Sequence, residues 1–246
     1  MSNGKTIKII KSVYTDEGEG AKVRRLFPTS ELEMIDPFVL MDEFYVSPPA
    51  GFPNHPHRGF EVVTYMLEGA FIHRDSMGNE AFLEAGGVQR ITTGSGIVHS
   101  ELPGREGMNH GIQLWVNLPK NLKGLSPSYQ ELKPDELSEE RQGRIKTTLI
   151  VGEGSPVLLK TQVLYLDIKT EEAAVFSRRL PESFNAFIYV LNGKLQVGKV
   201  AVVEHEGVVF TPGSLVEAKS GSRCRFVLVA GKPHNEEVVF RGSFVD

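Results

Sequence analysis

The chain has one cysteine among its 246 residues, Cys224, so no internal disulfide can staple the fold and no thiolate cluster can hold a structural zinc. A reducing, cytoplasmic setting is the expectation, because the opening segment MSNGKTIKIIKS also lacks the apolar run of a secretory signal. No stretch approaches the roughly 18 uninterrupted apolar residues of a membrane helix, and no membrane association is expected. An excess of one charge is missing too: 27 Lys and Arg stand against 31 Asp and Glu, a net of −4. That field offers no attraction to nucleic acid, so direct nucleic-acid binding is not expected.

What the chain does have is 25 Gly and 14 Pro spread along its length, with apolar, β-branched runs of strand length between them. Such runs occupy Ile7–Val13, Lys22–Phe27, Glu61–Leu67, Val88–Thr92, Ile112–Asn117, Ile145–Val151, Val163–Ile168, Ala186–Leu191, Gly207–Thr211 and Arg225–Val229. One short helix is expected, over Pro134–Gln142, where Pro and acidic residues open a turn that Gly143 stops. An all-β chain of this length reads as two sandwiches or barrels. We place the domains at 1–133 and 134–246.

An internal repeat points the same way. Tyr65-Met66-Leu67-Glu68-Gly69 answers to Tyr189-Val190-Leu191-Asn192-Gly193, an offset of 124 positions. Gly87-Val88 leading to Thr93-Gly94 answers to Gly207-Val208 leading to Pro212-Gly213, an offset near 120.

Four of the seven histidines fall between Asn54 and Glu101. In Asn54-His55-Pro56-His57 the two imidazoles are separated by one residue, so on an extended backbone they project from the same face. Pro56 removes a backbone donor and favours an extended edge segment. In His99-Ser100-Glu101 the spacing recurs with a carboxylate in second place. His55, His57, His99 and Glu101 thus form a mixed nitrogen and oxygen set suited to one divalent transition metal, with two octahedral positions left open. Such a set admits Fe(II), Mn, Co, Ni, Cu or Zn.

The segments Asn54-His-Pro-His-Arg-Gly-Phe-Glu61, Phe71-Ile-His-Arg-Asp-Ser-Met-Gly-Asn79, Gly94–Glu101 and Gly111-Ile-Gln-Leu-Trp-Val-Asn-Leu-Pro119 resemble the pirin family of the cupin superfamily. The resemblance implies a bicupin of two antiparallel β-sandwich (jelly-roll) barrels, with iron in the amino-terminal one and no metal in the other. It carries the ligand role onto the four residues selected by spacing.

In the general cupin pattern a Glu following the His-x-His is the carboxylate ligand, and Glu61 occupies that place. Because Gly59 permits a bend between His57 and Glu61, Glu101 is the preferred fourth ligand. Glu61 is then expected to accept a hydrogen bond that orients a ligand imidazole. His73 is expected at the start of a hairpin turn, with a pocket role as the alternative. Gln113 and Trp115 share a strand face, and the resemblance places this strand near the metal pocket, which makes Gln113 a candidate substrate contact; Trp115 reads as core. Carried across by the repeat offsets, the ligand positions fall on Arg179, Pro181, Ala218 and Ser220, none a good set, and His205 and His234 read as solvated loop residues.

Two functions follow from the resemblance. One is a quercetin 2,3-dioxygenase-like enzyme acting on an aromatic flavonol and O2, with Glu101 or Glu61 taking the hydroxyl proton. The other is a non-catalytic, redox-sensing regulator that binds transcription factors or metabolic enzymes. The protein is expected to be monomeric.

Overall fold

The structure is a computed structural model and describes residues 6–213 and 215–246. Its strands, in chain order, begin with β1 (Thr6–Lys11), β2 (Val13–Glu17), β3 (Ala21–Phe27), β4 (Phe38–Val46), β5 (Phe52–His57) and β6 (Phe60–Glu68). Next come β7 (Ala70–Asp75), β8 (Glu80–Glu84), β9 (Val88–Thr92), β10 (Ile97–Pro103), β11 (Asn109–Asn117) and β12 (Ser128–Leu132). The series continues with β13 (Ser138–Gln142), β14 (Ile145–Val151), β15 (Val163–Thr170), β16 (Ala174–Arg179), β17 (Asn185–Asn192) and β18 (Lys194–Val197). It closes with β19 (Val200–Val203), β20 (Glu206–Phe210), β21 (Leu215–Ser220), β22 (Cys224–Gly231), β23 (Phe240–Arg241) and β24 (Phe244–Val245).

These strands form two compact units, each an antiparallel sandwich. Among the described residues, one holds 13–136, 157–161 and 234–246; the other holds 6–12, 137–156, 162–213 and 215–233. A single cut at 133/134 does not reproduce this division. β1 hydrogen-bonds to β20 and so belongs to the second unit, while the carboxy-terminal residues return to the first.

In the first unit a seven-stranded sheet, β12-β9-β6-β11-β4-β3-β2, faces a four-stranded sheet, β5-β10-β7-β8. The second unit repeats the plan with β1-β20-β17-β22-β15-β14-β13 and β16-β21-β18-β19. The repeat noted in the sequence is thus a repeat of position: β6 lies between β9 and β11 as β17 lies between β20 and β22. Both strands end at a glycine of positive φ, Gly69 and Gly193.

Alternation decides which side chains enter the barrel. On β8 Ala81 and Leu83 are buried while Glu80, Phe82 and Glu84 are exposed, the period-two pattern of a half-buried strand. Val39, Leu40, Phe60, Val62, Ile91, Ile97, Trp115 and Val245 make one core cluster of the first unit. Ala21, Val23, Phe44, Val46, Met66, Phe71 and Leu83 make a second.

The helix expected over Pro134–Gln142 is corrected. Only Pro134–Glu136 turns, as a single 3-10 turn, and Ser138–Gln142 is strand β13. Gly143, at φ +58, starts the turn that folds β13 back onto β14, with Gln142 opposite Ile145, and this ladder overrides the weak helical signal.

Candidate metal centre

β5 is an edge strand, paired only with β10, so Pro56 leaves no ladder hydrogen bond unmade there. The pairing sets His55 opposite His99. His57 and His99 are buried and His55 is half-buried, and ligand atoms from all three lie within 4.8 Å of one another. Their ring centroids are 4.5–4.9 Å apart.

Hydrogen bonds settle where the protons are. His55 Nδ1–H donates to the Pro53 carbonyl at 2.7 Å, and His57 Nδ1–H donates to the Ser243 carbonyl at 3.3 Å. A carbonyl can only accept, so in the neutral form of either ring it is Nε2 that carries the lone pair. Those Nε2 atoms face each other at 3.0 Å. Neither nitrogen of buried His99 has a hydrogen-bond partner among the described residues. Burial first, and then His55, holds His57 down to about 3, while burial and the surrounding imidazoles hold His99 well below its ordinary 6.5.

In their neutral forms, imidazoles that turn their lone pairs toward one another repel unless a cation stands among them. Two nitrogens bound about 2.1 Å from one ion at a right angle are roughly 3.0 Å apart, the spacing seen for His55 and His57. The donor set therefore fits a divalent transition metal.

Glu101 is buried beside this cluster but outside its 4.8 Å group. Its Oε1 accepts from Thr64 Oγ1 at 3.1 Å and from Gln89 Nε2; its Oε2 accepts from Gln113 Nε2 at 2.8 Å. Trp115 Nε1–H donates to Gln113 Oε1 at 2.9 Å, which turns the amide N–H toward the carboxylate. Tyr129 O–H does the same for Gln89 at 3.2 Å.

Glu61 lies elsewhere. One oxygen accepts from Thr92 Oγ1 and the other from the Lys160 amide, each at 2.7 Å, so it orients no imidazole. Thr64 on the same strand bonds Glu101, so even-numbered positions of β6 face the site and odd-numbered ones do not. Gly59, at φ +92 between β5 and β6, breaks the register that would have kept Glu61 on the face of His57.

His73 is not at a turn. It is a buried mid-strand residue of β7 opposite Glu101, donating from Nε2 to Asp75 at 3.1 Å, stacked on Tyr129 and 5.5 Å from His99 ring to ring. His234 is half-buried rather than fully solvated, and its Nε2–H donates to the Asn117 carbonyl at 2.9 Å.

The site opens into a cavity of about 620 Å³ with apolar walls from Val23, Leu40, Phe44, Phe52 and Trp115. His55, His57, Glu101 and Gln113 also line it, as do Phe240, Gly242 and Ser243 from the carboxy-terminal segment. Trp115, read as core, is both core and wall: it stacks on Phe60 at 4.1 Å and meets His57 edge-on at 4.8 Å. The sequence reading missed Thr64, Gln89 and Ser243. The first two carried a signal, as polar residues at inward positions of apolar strands.

In the second unit Phe176 stands opposite Ala218, where His55 stands opposite His99 in the first, and both are core. The strand register thus puts Phe176, not Arg179, in the place of His55.

The Pirin family profile matches residues 20–116, and that of the Pirin C-terminal cupin domain matches residues 165–246. Pirin-like protein 2 of Arabidopsis thaliana is 43% identical over 254 aligned positions, covering 96% of this chain and 79% of that protein. Pirin of Homo sapiens is 40% identical, with 98% and 88% covered. Among solved structures, a quercetin 2,3-dioxygenase from Acinetobacter baumannii superposes with a TM-score of 0.92 at 24% identity, over 99% of this chain and 92% of that one. Bacterial pirin YhhW from Escherichia coli, in complex with nickel(II), gives 0.78 at 20% identity, over 92% and 98%. The two structures speak for the fold; the two sequences, similar from end to end, speak for descent. On that ground the chain belongs to the pirin family of the cupin superfamily.

Proposed function

We propose that the protein is a metal-dependent dioxygenase that opens flavonols such as quercetin with molecular oxygen, using one divalent metal, iron(II), held by His55, His57, His99 and Glu101. The observation that carries this reading is the pair of facing Nε2 atoms of His55 and His57 beside an apolar cavity that is large enough for a flat aromatic. Bound there, a divalent transition metal supplies a Lewis acid that lowers the pKa of a substrate hydroxyl and a redox centre for dioxygen chemistry.

The chain's own residues do the rest. Phe44, Phe52 and Trp115 take the rings of the substrate and exclude water from around them. Glu101 Oε2, fixed by Gln113, takes the proton of the incoming hydroxyl. Arg25, the arginine on the cavity wall, is bound to Asp42 at 2.9 and 2.6 Å and to Glu17 at 2.7 Å. That wall therefore offers acceptors for phenolic hydroxyls rather than a cation for a carboxylate.

Oxygen uptake by anaerobically metal-loaded protein tests the reading. Consumption of one O2 per quercetin lost is expected. Loaded protein that takes up no oxygen with any flavonol would overturn catalysis and favour a regulator that works by binding other proteins.

A further inference from the structure

The carboxy-terminal segment 234–246 follows the second unit in the chain, yet it folds onto the first. Its entry is pinned by Asp36, whose carboxylate accepts the amides of His234 at 3.0 Å and Asn235 at 2.8 Å. It then makes the β23/β24 hairpin, closed by reciprocal 2.9 Å bonds between Val239 and Asp246.

That hairpin is tied to the residues immediately after the ligand His57. Val245 N–H donates to the Arg58 carbonyl at 3.0 Å, and the Arg58 guanidinium reaches Asp246 at 2.8 Å and covers the Phe244 ring. A Cβ at Gly59 would stand 1.9 Å from the Val245 carbonyl oxygen, so only glycine allows this approach. The Val245 side chain is fully buried, in one core cluster with Phe60 and Trp115.

One side chain joins the whole arrangement. Lys123 Nζ donates to the Gly59 carbonyl at 2.9 Å, to Asn117 Oδ1 at 2.7 Å and to the Val245 carbonyl at 2.8 Å. An ammonium has three protons, and each has an acceptor here. The seated hairpin presents the Ser243 carbonyl to His57 Nδ1–H and lines the cavity with Phe240 and Gly242.

We propose that the carboxy-terminal hairpin is a positioning clasp for the metal centre, latched by Lys123, which holds His57 as the Nδ1–H tautomer with Nε2 turned into the site. The proposal rests on the metal-centre reading above. Lys123 touches neither ligand nor substrate; it is a positioning residue, acting through Val245 and Gly59. Outer partners of ligand histidines commonly matter by about 10–100-fold in metal affinity. A purely structural tail would alter melting and nothing at the site.

The test is Lys123→Met in the full chain, which keeps the length of the side chain and removes all three bonds. In metal-free protein, 15N NMR of the imidazoles reports the His57 tautomer and hydrogen exchange reports the Val245 amide. Competition with a chelator for Ni(II) reports affinity. The account expects faster Val245 exchange, a His57 signal shifted toward mixed tautomers, and Ni(II) affinity at least tenfold weaker. A chain ending at Gly242 should show the same tautomer and affinity changes, and if it fails to fold, Lys123→Met still decides. Fast exchange with unchanged tautomer and affinity would overturn the clasp, and so would a Val245 amide as protected as in wild type. A wild-type chain that takes up no Ni(II) would sink the metal reading instead, while the tautomer measurement still judges the clasp.

Discussion

The Nε2 atoms of His55 and His57 face each other at 3.0 Å, while the Nδ1 atoms of the two rings are held by the carbonyls of Pro53 and Ser243. With both rings neutral and no cation, this arrangement sets lone pair against lone pair, at a cost borne by the fold around it. Burial makes relief by protonation expensive, as the depressed His57 value of about 3 records. A metal relieves both problems at once.

The first prediction concerns acid. An unfolded chain protonates His57 and His99 near 6.5, whereas the metal-free folded chain keeps both neutral far below that, His57 to about 3. Between those limits the unfolded state binds more protons, so folded stability falls as pH drops below 6.5. The slope is about 1.4 kcal/mol per pH unit for each histidine. Thermal melts of metal-free protein at pH 7.5 and 5.5 should show the loss, and His99→Gln should lessen it. Equal melting at both pH values for wild type would contradict the neutral cluster.

The two buried glutamates should separate cleanly. Glu101→Gln removes the anionic charge from the site and should weaken metal binding and flavonol turnover together. Glu61→Gln touches only Thr92 and Lys160. It should cost about 1–3 kcal/mol of stability through an imperfectly paired buried group and leave metal content unchanged. Metal analysis and melting of the two variants decide it, and a metal-free Glu61→Gln protein would restore Glu61 as a ligand.

Gln113 offers a test of positioning apart from metal binding. Trp115→Phe keeps the stack on Phe60 but deletes the N–H that orients Gln113. Turnover should fall about tenfold, with metal content at the wild-type level. If kcat is unchanged, the Trp115–Gln113–Glu101 chain has no part in proton transfer.

Cutting the chain after Gly143 removes residues 157–161 and 234–246, and with them the Lys160 amide on Glu61, the Ser243 carbonyl on His57 and buried Val245. The 1–143 fragment should aggregate or bind metal at least tenfold more weakly, although it keeps all four proposed ligands. Size-exclusion chromatography with metal titration checks this; a soluble fragment of full affinity would contradict it.

The histidines were legible because ligand spacing on a strand is local: i, i+2 places His55 beside His57 whatever the rest of the chain does. Gln113 was singled out as a substrate contact through the family resemblance, and its bonds to Glu101 and Trp115 were not foreseen, because they depend on side chains brought together from two strands. Glu61 was misread because one glycine, Gly59 at φ +92, changes which parity of β6 faces inward, and the letters do not show that φ. The short helix failed because the turn at Gly143 and the ladder to β14 outweigh local propensity. The Ser243 contact joins residues 186 positions apart, and no local pattern marks a tail for the strand it will meet. Folds are duplicated here, but pairing register, not sequence offset, tells which residues correspond, as Phe176 opposite Ala218 illustrates.

The central claim, that three histidines gather around one ion, is tested most directly by elemental analysis of anaerobically purified wild-type and His99→Ala protein. His99 supplies a ring without any hydrogen-bond partner, so its removal deletes a ligand and breaks no bond within the fold. Close to one transition-metal ion per wild-type chain is expected, and less than about a tenth as much in a folded His99→Ala variant. Equal metal in both proteins, or none in wild type reloaded with Fe(II), would contradict it.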